Sequence, residues 1–101
     1  MILKTMKSES RYKIPGGKLL RVFLEYSEDT KTIQDIRITG DFFVYPEEAI
    51  EELESILLYT PIIEEDLKEK ISRFIETNDV TLVGLTSEDL VKGIMMCVSY
   101  E

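Results

Sequence analysis

The chain contains no histidine and a single cysteine, Cys97. Without histidine, serine–histidine and cysteine–histidine nucleophilic sites, imidazole zinc sites and histidine acid–base catalysis are excluded from this polypeptide. A lone cysteine excludes an internal disulfide and any CxxC motif, which fits a reducing compartment. Long apolar runs are missing too. None approaches the roughly 18 residues of a membrane span, and Met1-Ile2-Leu3-Lys4 lacks the apolar stretch of a secretory signal. A cytoplasmic protein that does not enter a membrane is the expectation. Basic charge is scarce as well: 12 Lys and Arg against 20 Asp and Glu leave a formal net charge of −8. That balance argues against a general nucleic-acid binder, which needs a basic footprint to displace phosphate counterions.

What is present suits one folded unit. At 101 residues a chain buries roughly two thirds of its extended surface, enough for a core without staples. With 44% hydrophobic and 32% charged residues the composition is that of a globular chain rather than a disordered one. The expectation is a single domain over 1–101, with a β meander in 1–45 and a helical half in 46–101. Charge divides at the same boundary. Residues 1–45 carry eight basic and six acidic groups, residues 46–101 four basic and fourteen acidic, and within 1–24 six basic groups face only Glu9. An acidic chain thus has a basic leading end, the natural place to meet an anion.

Leu20, Val22, Leu24 and Tyr26 alternate with polar residues and with Phe23, the pattern of a half-buried strand. Ser27–Lys31 reads as a turn. Ile36 and Ile38 then share one face of a second strand, and Ile33, on the wrong parity, requires a bulge or a two-sided strand. Phe42–Tyr45 reads as a third short strand, and Tyr12-Lys13-Ile14 adds a fourth if it pairs back across Pro15-Gly16-Gly17. From Pro46 the period becomes helical. Pro46 suits a first helical position, with Glu47 and Glu48 at the positive end of the dipole. Ile50, Leu53 and Leu57 point inward and Glu51, Glu52 and Glu54 outward. Thr60-Pro61 breaks the chain. A second helix runs from Glu64 to about Asn78 and buries Leu67, Ile71, Phe74 and Ile75. Val80–Leu85 is an apolar connector. Thr86 caps a third helix with Asp89 as its capping-box partner, and Leu90, Val91, Ile94, Met95 and Val98 form the buried stripe. Gly93 inside that stripe points to a close packing contact. The result is α+β: an antiparallel sheet of three or four strands followed by three helices on one face.

Three groups of residues are candidates for chemistry. Pro15-Gly16-Gly17-Lys18 offers glycine amides and one ammonium to an anion, yet it does not fit a P-loop, because Leu19 follows the lysine and the glycine spacing is wrong. A tight turn with a solvated Lys18 is the plainer reading. In Gly40-Asp41-Phe42-Phe43, Asp41 either fixes its own turn by an Asx hydrogen bond or orients a cation or partner, while the phenylalanines pack the core. The acidic runs at 47–48, 51–52 and 64–66 lack the spacing of a metal site and read as solvated helix surface. Cys97 beside the apolar stripe reads as buried and inert. There is no nucleophile–base pair, so no catalytic residue and no metal site are assigned.

Taken together, Tyr12-Lys13-Ile14-Pro15-Gly16-Gly17-Lys18-Leu19-Leu20-Arg21-Val22, then Ile33-Gln34-Asp35-Ile36-Arg37-Ile38-Thr39-Gly40-Asp41-Phe42-Phe43, then Tyr45-Pro46-Glu47-Glu48-Ala49-Ile50-Glu51-Glu52-Leu53 resemble the accessory C-terminal domain of lipoate–protein ligase, in the form encoded as a separate small subunit. The likeness runs from about residue 10 onward and is densest over 12–53. It implies a helper that binds no cofactor alone and forms a heterodimer with a large catalytic subunit holding lipoate, ATP and Mg2+. It implies a need for the helper in forming lipoyl-AMP but not in transfer to the acceptor-domain lysine. It also implies a fold similar to sulfur-transfer and iron–sulfur scaffold proteins. On this resemblance Gly16, Gly17 and Lys18 are expected near the nucleotide, and Gly40, Asp41 and Phe42 on the subunit interface. Two other readings stay open: a protein-interaction or scaffold module of the same fold, and a self-complementary homodimer.

Overall fold

The computed structural model describes residues 4–98. Met1–Leu3, read above for a secretory signal, lie outside them. Strands β1 (Thr5–Lys13), β2 (Leu19–Ser27) and β3 (Ile33–Gly40) form an antiparallel sheet in that order. Leu20, Val22, Leu24 and Tyr26 of β2 and Ile36 and Ile38 of β3 are buried on one face, as their alternation requires. Ile33 joins that face through a bulge. Glu25 pairs with Asp35 but Tyr26 pairs with Ile33, so Gln34 is the extra residue that restores the parity.

Helices α1 (Ala49–Ile56), α2 (Glu64–Thr77) and α3 (Ser87–Met95) follow. Residues of α1 and α3 cover the apolar face of the sheet, and α2 packs against α3. Leu53, Leu57, Leu67, Ile71, Leu90 and Ile94 are almost completely buried with Leu20 and Val22, each contributing about 1.5–3 kcal/mol by leaving water. Thr86 caps α3 as expected: its Oγ1 accepts the Asp89 amide at 3.2 Å, and the Asp89 carboxylate accepts the Thr86 amide at 2.8 Å. Gly93 sits where a Cβ would lie 2.8 Å from Leu20 Cδ2, and its carbonyl accepts the Ser10 hydroxyl at 2.6 Å. The glycine lets α3 lie directly on β1 and β2.

Several expectations need correction. β1 reaches back to Thr5, well before Tyr12. Phe43–Tyr45 (β4) does not extend the meander. It pairs with Thr81–Val83 (β5), inside the presumed connector, as a separate two-stranded ribbon. α1 starts at Ala49, because Pro46–Glu48 form a turn closed by the Ala49 amide on the Pro46 carbonyl at 3.0 Å. Glu54 is not turned to solvent: half-buried, it accepts the Ile38 amide at 2.7 Å. Val98 is buried but lies past the end of α3, as does Cys97. No helix of the described residues is long and apolar enough to cross a membrane.

Candidate functional site

The two loops singled out in the sequence meet at one end of the molecule. In the β1–β2 hairpin the Ile14 amide donates to the Lys18 carbonyl at 2.7 Å and the Gly17 amide to the Ile14 carbonyl at 3.1 Å. Gly16 and Gly17 have φ of +106° and +97°, with open space where a side chain would stand. Their requirement is therefore conformational, not steric. The Gly17 amide is spent on the turn and Pro15 has none, which leaves the Gly16 and Lys18 amides and the exposed Lys18 ammonium for an anion. This is a tight turn carrying a cation, and it does not fit a self-contained phosphate cradle.

Gly40 is needed for a different reason. A Cβ there would collide with the Leu19 carbonyl oxygen and stand 2.9 Å from Phe42 Cε1. This close approach lets the Asp41 amide donate to Leu19 O at 3.0 Å, tying the end of β3 to the start of β2. The turn is held by that backbone bond rather than by an Asx bond, and the exposed Asp41 carboxylate makes no hydrogen bond or ion pair among the described residues. Gly84, at φ +96°, closes the cluster: a Cβ on it would touch Phe42 Cβ at 3.6 Å and Lys18 Cγ at 3.7 Å. Loops 14–18, 40–42 and 84–86 thus converge. Ile14, Lys18, Leu85 and Asp89 line a shallow groove of about 500 Å³ beside them.

The ribbon stands next to this cluster. Phe43 pairs with Val83 and Tyr45 with Thr81 on one face, while Val44 and Leu82 turn toward the core. Phe43 is 64% exposed, Tyr45 55% and Val83 47%, so Phe43 does not pack the core as expected. Phe42 alone does so, and only in part. A two-stranded ribbon with a solvated apolar face is a weak structure by itself and a natural contact surface. Tyr45 and Val83 were missed in the sequence. The alternation Phe43-Val44-Tyr45 was the available signal, since a strand that buries its middle residue must show its flanks.

The basic leading end does not gather at the glycine turn. Arg11 and Arg21 stand directly opposite one another on the outer sheet face and share the Glu9 carboxylate at 3.4 and 3.3 Å. Lys7 meets Glu25 at 3.8 Å. Cys97 is buried, its thiol 3.7 Å from the Val22 carbonyl, and burial raises its pKa above the ordinary thiol range. That is the opposite of what a sulfur-transfer nucleophile needs. Among the described residues no three His, Cys, Asp or Glu side chains group as a metal site would require.

Known proteins match this arrangement. A family model described as bacterial lipoate protein ligase C-terminus covers residues 7–94, taking in both loops and the ribbon. Lipoate-protein ligase A subunit 2 of Thermoplasma acidophilum is 36% identical over 89 residues, 88% of each chain. A chain from the solved archaeal lipoylation system of the same organism, a bipartite lipoate protein ligase and its E2 lipoyl domain, superposes with a TM-score of 0.70 at 29% identity, over 92% of this chain and 97% of that one. The chain belongs to the lipoate protein ligase C-terminal family.

Proposed function

We propose that this protein is the accessory small subunit of a two-chain lipoate–protein ligase in the cytoplasm, needed with a large catalytic subunit to activate lipoate to lipoyl-AMP for transfer to acceptor-domain lysines. The observation that carries the reading is the exposed Phe43–Tyr45–Val83 face beside the converged loops, an apolar surface that the chain's own core leaves unused, in a relative-sized chain of this family. Lipoate, ATP and Mg2+ belong to the large subunit in this reading, and ATP supplies there the leaving group for adenylation. The part played by this chain is to dock and exclude water. Gly40, Asp41 and Phe42 shape the contact together with the ribbon, and Lys18 on its glycine turn is presented at the rim. A cation fixed in a water-poor pocket stabilises developing negative charge far better than one in bulk water.

Acceptor lipoylation by the large subunit, with and without this chain, tests the reading. Starting from lipoate plus ATP the chain is required; starting from lipoyl-AMP it is not. A large subunit fully competent alone in both assays refutes it. Lys18→Ala slows the first reaction by up to about a hundredfold and leaves the second unchanged. Phe43→Ser, at an exposed position, keeps the fold but weakens subunit association by at least about tenfold in a titration, as loss of a central aromatic anchor does.

A further inference from the structure

The two edges of the three-stranded sheet are not alike, and among the described residues one of them is open along its whole length. The Ile14 amide bonds Lys18 O and the Glu28 amide bonds Lys4 O across the β1–β2 register. Antiparallel alternation then points the backbone groups of Ser8, Ser10 and Tyr12 at β2. Those of Thr5, Lys7, Glu9, Arg11 and Lys13 point away, and none of them has a backbone partner among the described residues. Among the described residues β1 has no proline, no bulge and no covering segment; the one edge-guarding device it carries is its row of cations, Lys7, Arg11 and Lys13, which repels a like-charged strand but not an acidic one.

The side chains at this edge state what it accepts. Lys7, Arg11 and Lys13 lie on its outer side, and on the inner side Lys92 stacks over Tyr12 at 4.8 Å. Glu9 is the one carboxylate of the strand, already held by Arg11 and Arg21. Two arginines directly opposite one another are unfavourable in a sheet left to itself. Pairing of β1 with a second copy, in the antiparallel register that uses the full strand, sets Lys7 against Arg11 and Glu9 against Glu9. Self-association is thereby discouraged, while an incoming strand with carboxylates at alternate positions is favoured.

We propose that the free edge of β1 receives an extended acidic segment of the large catalytic subunit, which joins the sheet as an added strand beside β1; this rests on the two-subunit reading above. Amide hydrogen exchange followed by NMR on the full chain, alone and with the large subunit, tests it. The amides of Lys7, Glu9, Arg11 and Lys13 exchange freely in the isolated chain and slow by at least about tenfold in the complex, while those of Ser8, Ser10 and Tyr12 are slow in both. Lys7→Pro, which removes an outward N–H and no ladder bond, and Arg11→Glu combined with Lys13→Glu each weaken the complex, the latter by roughly tenfold at low salt and less at high salt. A complex that forms with those alternate amides still exchanging freely overturns this inference and leaves the two-subunit reading intact. Protection that grows with the concentration of the isolated chain, or that comes from the acceptor domain instead, also overturns it. Absence of any complex refutes both.

Discussion

The strand at one edge of the sheet is closed by its own chain and the strand at the other is not. On β3 the Ile33 amide donates to Thr60 O at 3.0 Å and the Tyr59 amide to Ile33 O at 2.7 Å, so the segment after α1 covers the first part of the edge. Further along, the Ile36 amide bonds the Asp35 carboxylate at 3.0 Å and the Ile38 amide bonds Glu54 at 2.7 Å. Among the described residues β1 has no such cover, and what fixes it is the β2 ladder and the seat of α3 on its inner face. The difference separates two uses of polar groups. At β3, carboxylates satisfy donors inside the fold; at β1, cations line donors that are left for water or for a partner.

The contrast between the two edges depends most on Gly93. Gly93→Val places branched carbon where Leu20 Cδ2 and Val22 Cγ2 already stand, 2.8 and 3.1 Å from the first added atom. α3 must lift, and the Ser10 hydroxyl loses its seat. Overpacking of this kind costs about 1–3 kcal/mol, or a melting temperature lower by roughly 5–20 °C in a chain of this size. Because α3 holds β1, amides of Ser8 and Ser10 should lose protection before those of β3. Equal loss at both edges would show that β1 does not depend on α3.

Opening the closed edge has a smaller effect. Glu54→Ala leaves the Ile38 amide without its acceptor, at about 1–2 kcal/mol if the group stays shielded and less if water enters the groove. Denaturant unfolding measures the loss, and faster exchange of the Ile38 amide locates it. An unchanged midpoint would mean that water replaces the carboxylate at no cost.

The closed edge was partly legible from sequence, because the misplaced parity of Ile33 demanded a bulge and Thr60-Pro61 demanded a break where the covering segment passes. Of the open edge only the end beside the glycine turn, Tyr12-Lys13, was legible. β1 shows its outer face and one edge to solvent, and of its inward residues Met6, Ser8, Ser10 and Tyr12 only Met6 is plainly apolar, so hydrophobic alternation never rises. β2, buried by two neighbours and a helix, announced itself through Leu20, Val22 and Leu24. The pairing of Phe43–Tyr45 with Thr81–Val83 joins segments too far apart for local pattern to connect, and it moved β4 out of the meander. Of the candidate site, the two glycine loops were visible as turns. Their convergence with Gly84 was not, since nothing near Gly84 in sequence points to Lys18 or Phe42.

The finest probe of the contrast is the charge on Glu54 rather than its presence. Burial between β3 and α1 pushes its carboxyl pKa above the ordinary value of 4.5, against the opposing pull of the Ile38 amide and of Arg37. A carboxyl whose pKa is raised by folding binds its proton more tightly in the native state, so its contribution is full below the ordinary value and is lost as pH rises through the native one. At pH 7 the ionised Glu54 therefore stabilises the fold less than its protonated form would, even while it closes the edge. Glu54→Gln keeps an acceptor for Ile38 and removes the charge. The variant should be marginally more stable than the parent at pH 7, with the difference shrinking toward zero as pH falls below 4.5. Paired denaturant titrations at both pH values measure it. A difference that grows on acidification would mean that the carboxylate is stabilised by its surroundings, and that the closed edge, like the open one, is governed by attraction to cations.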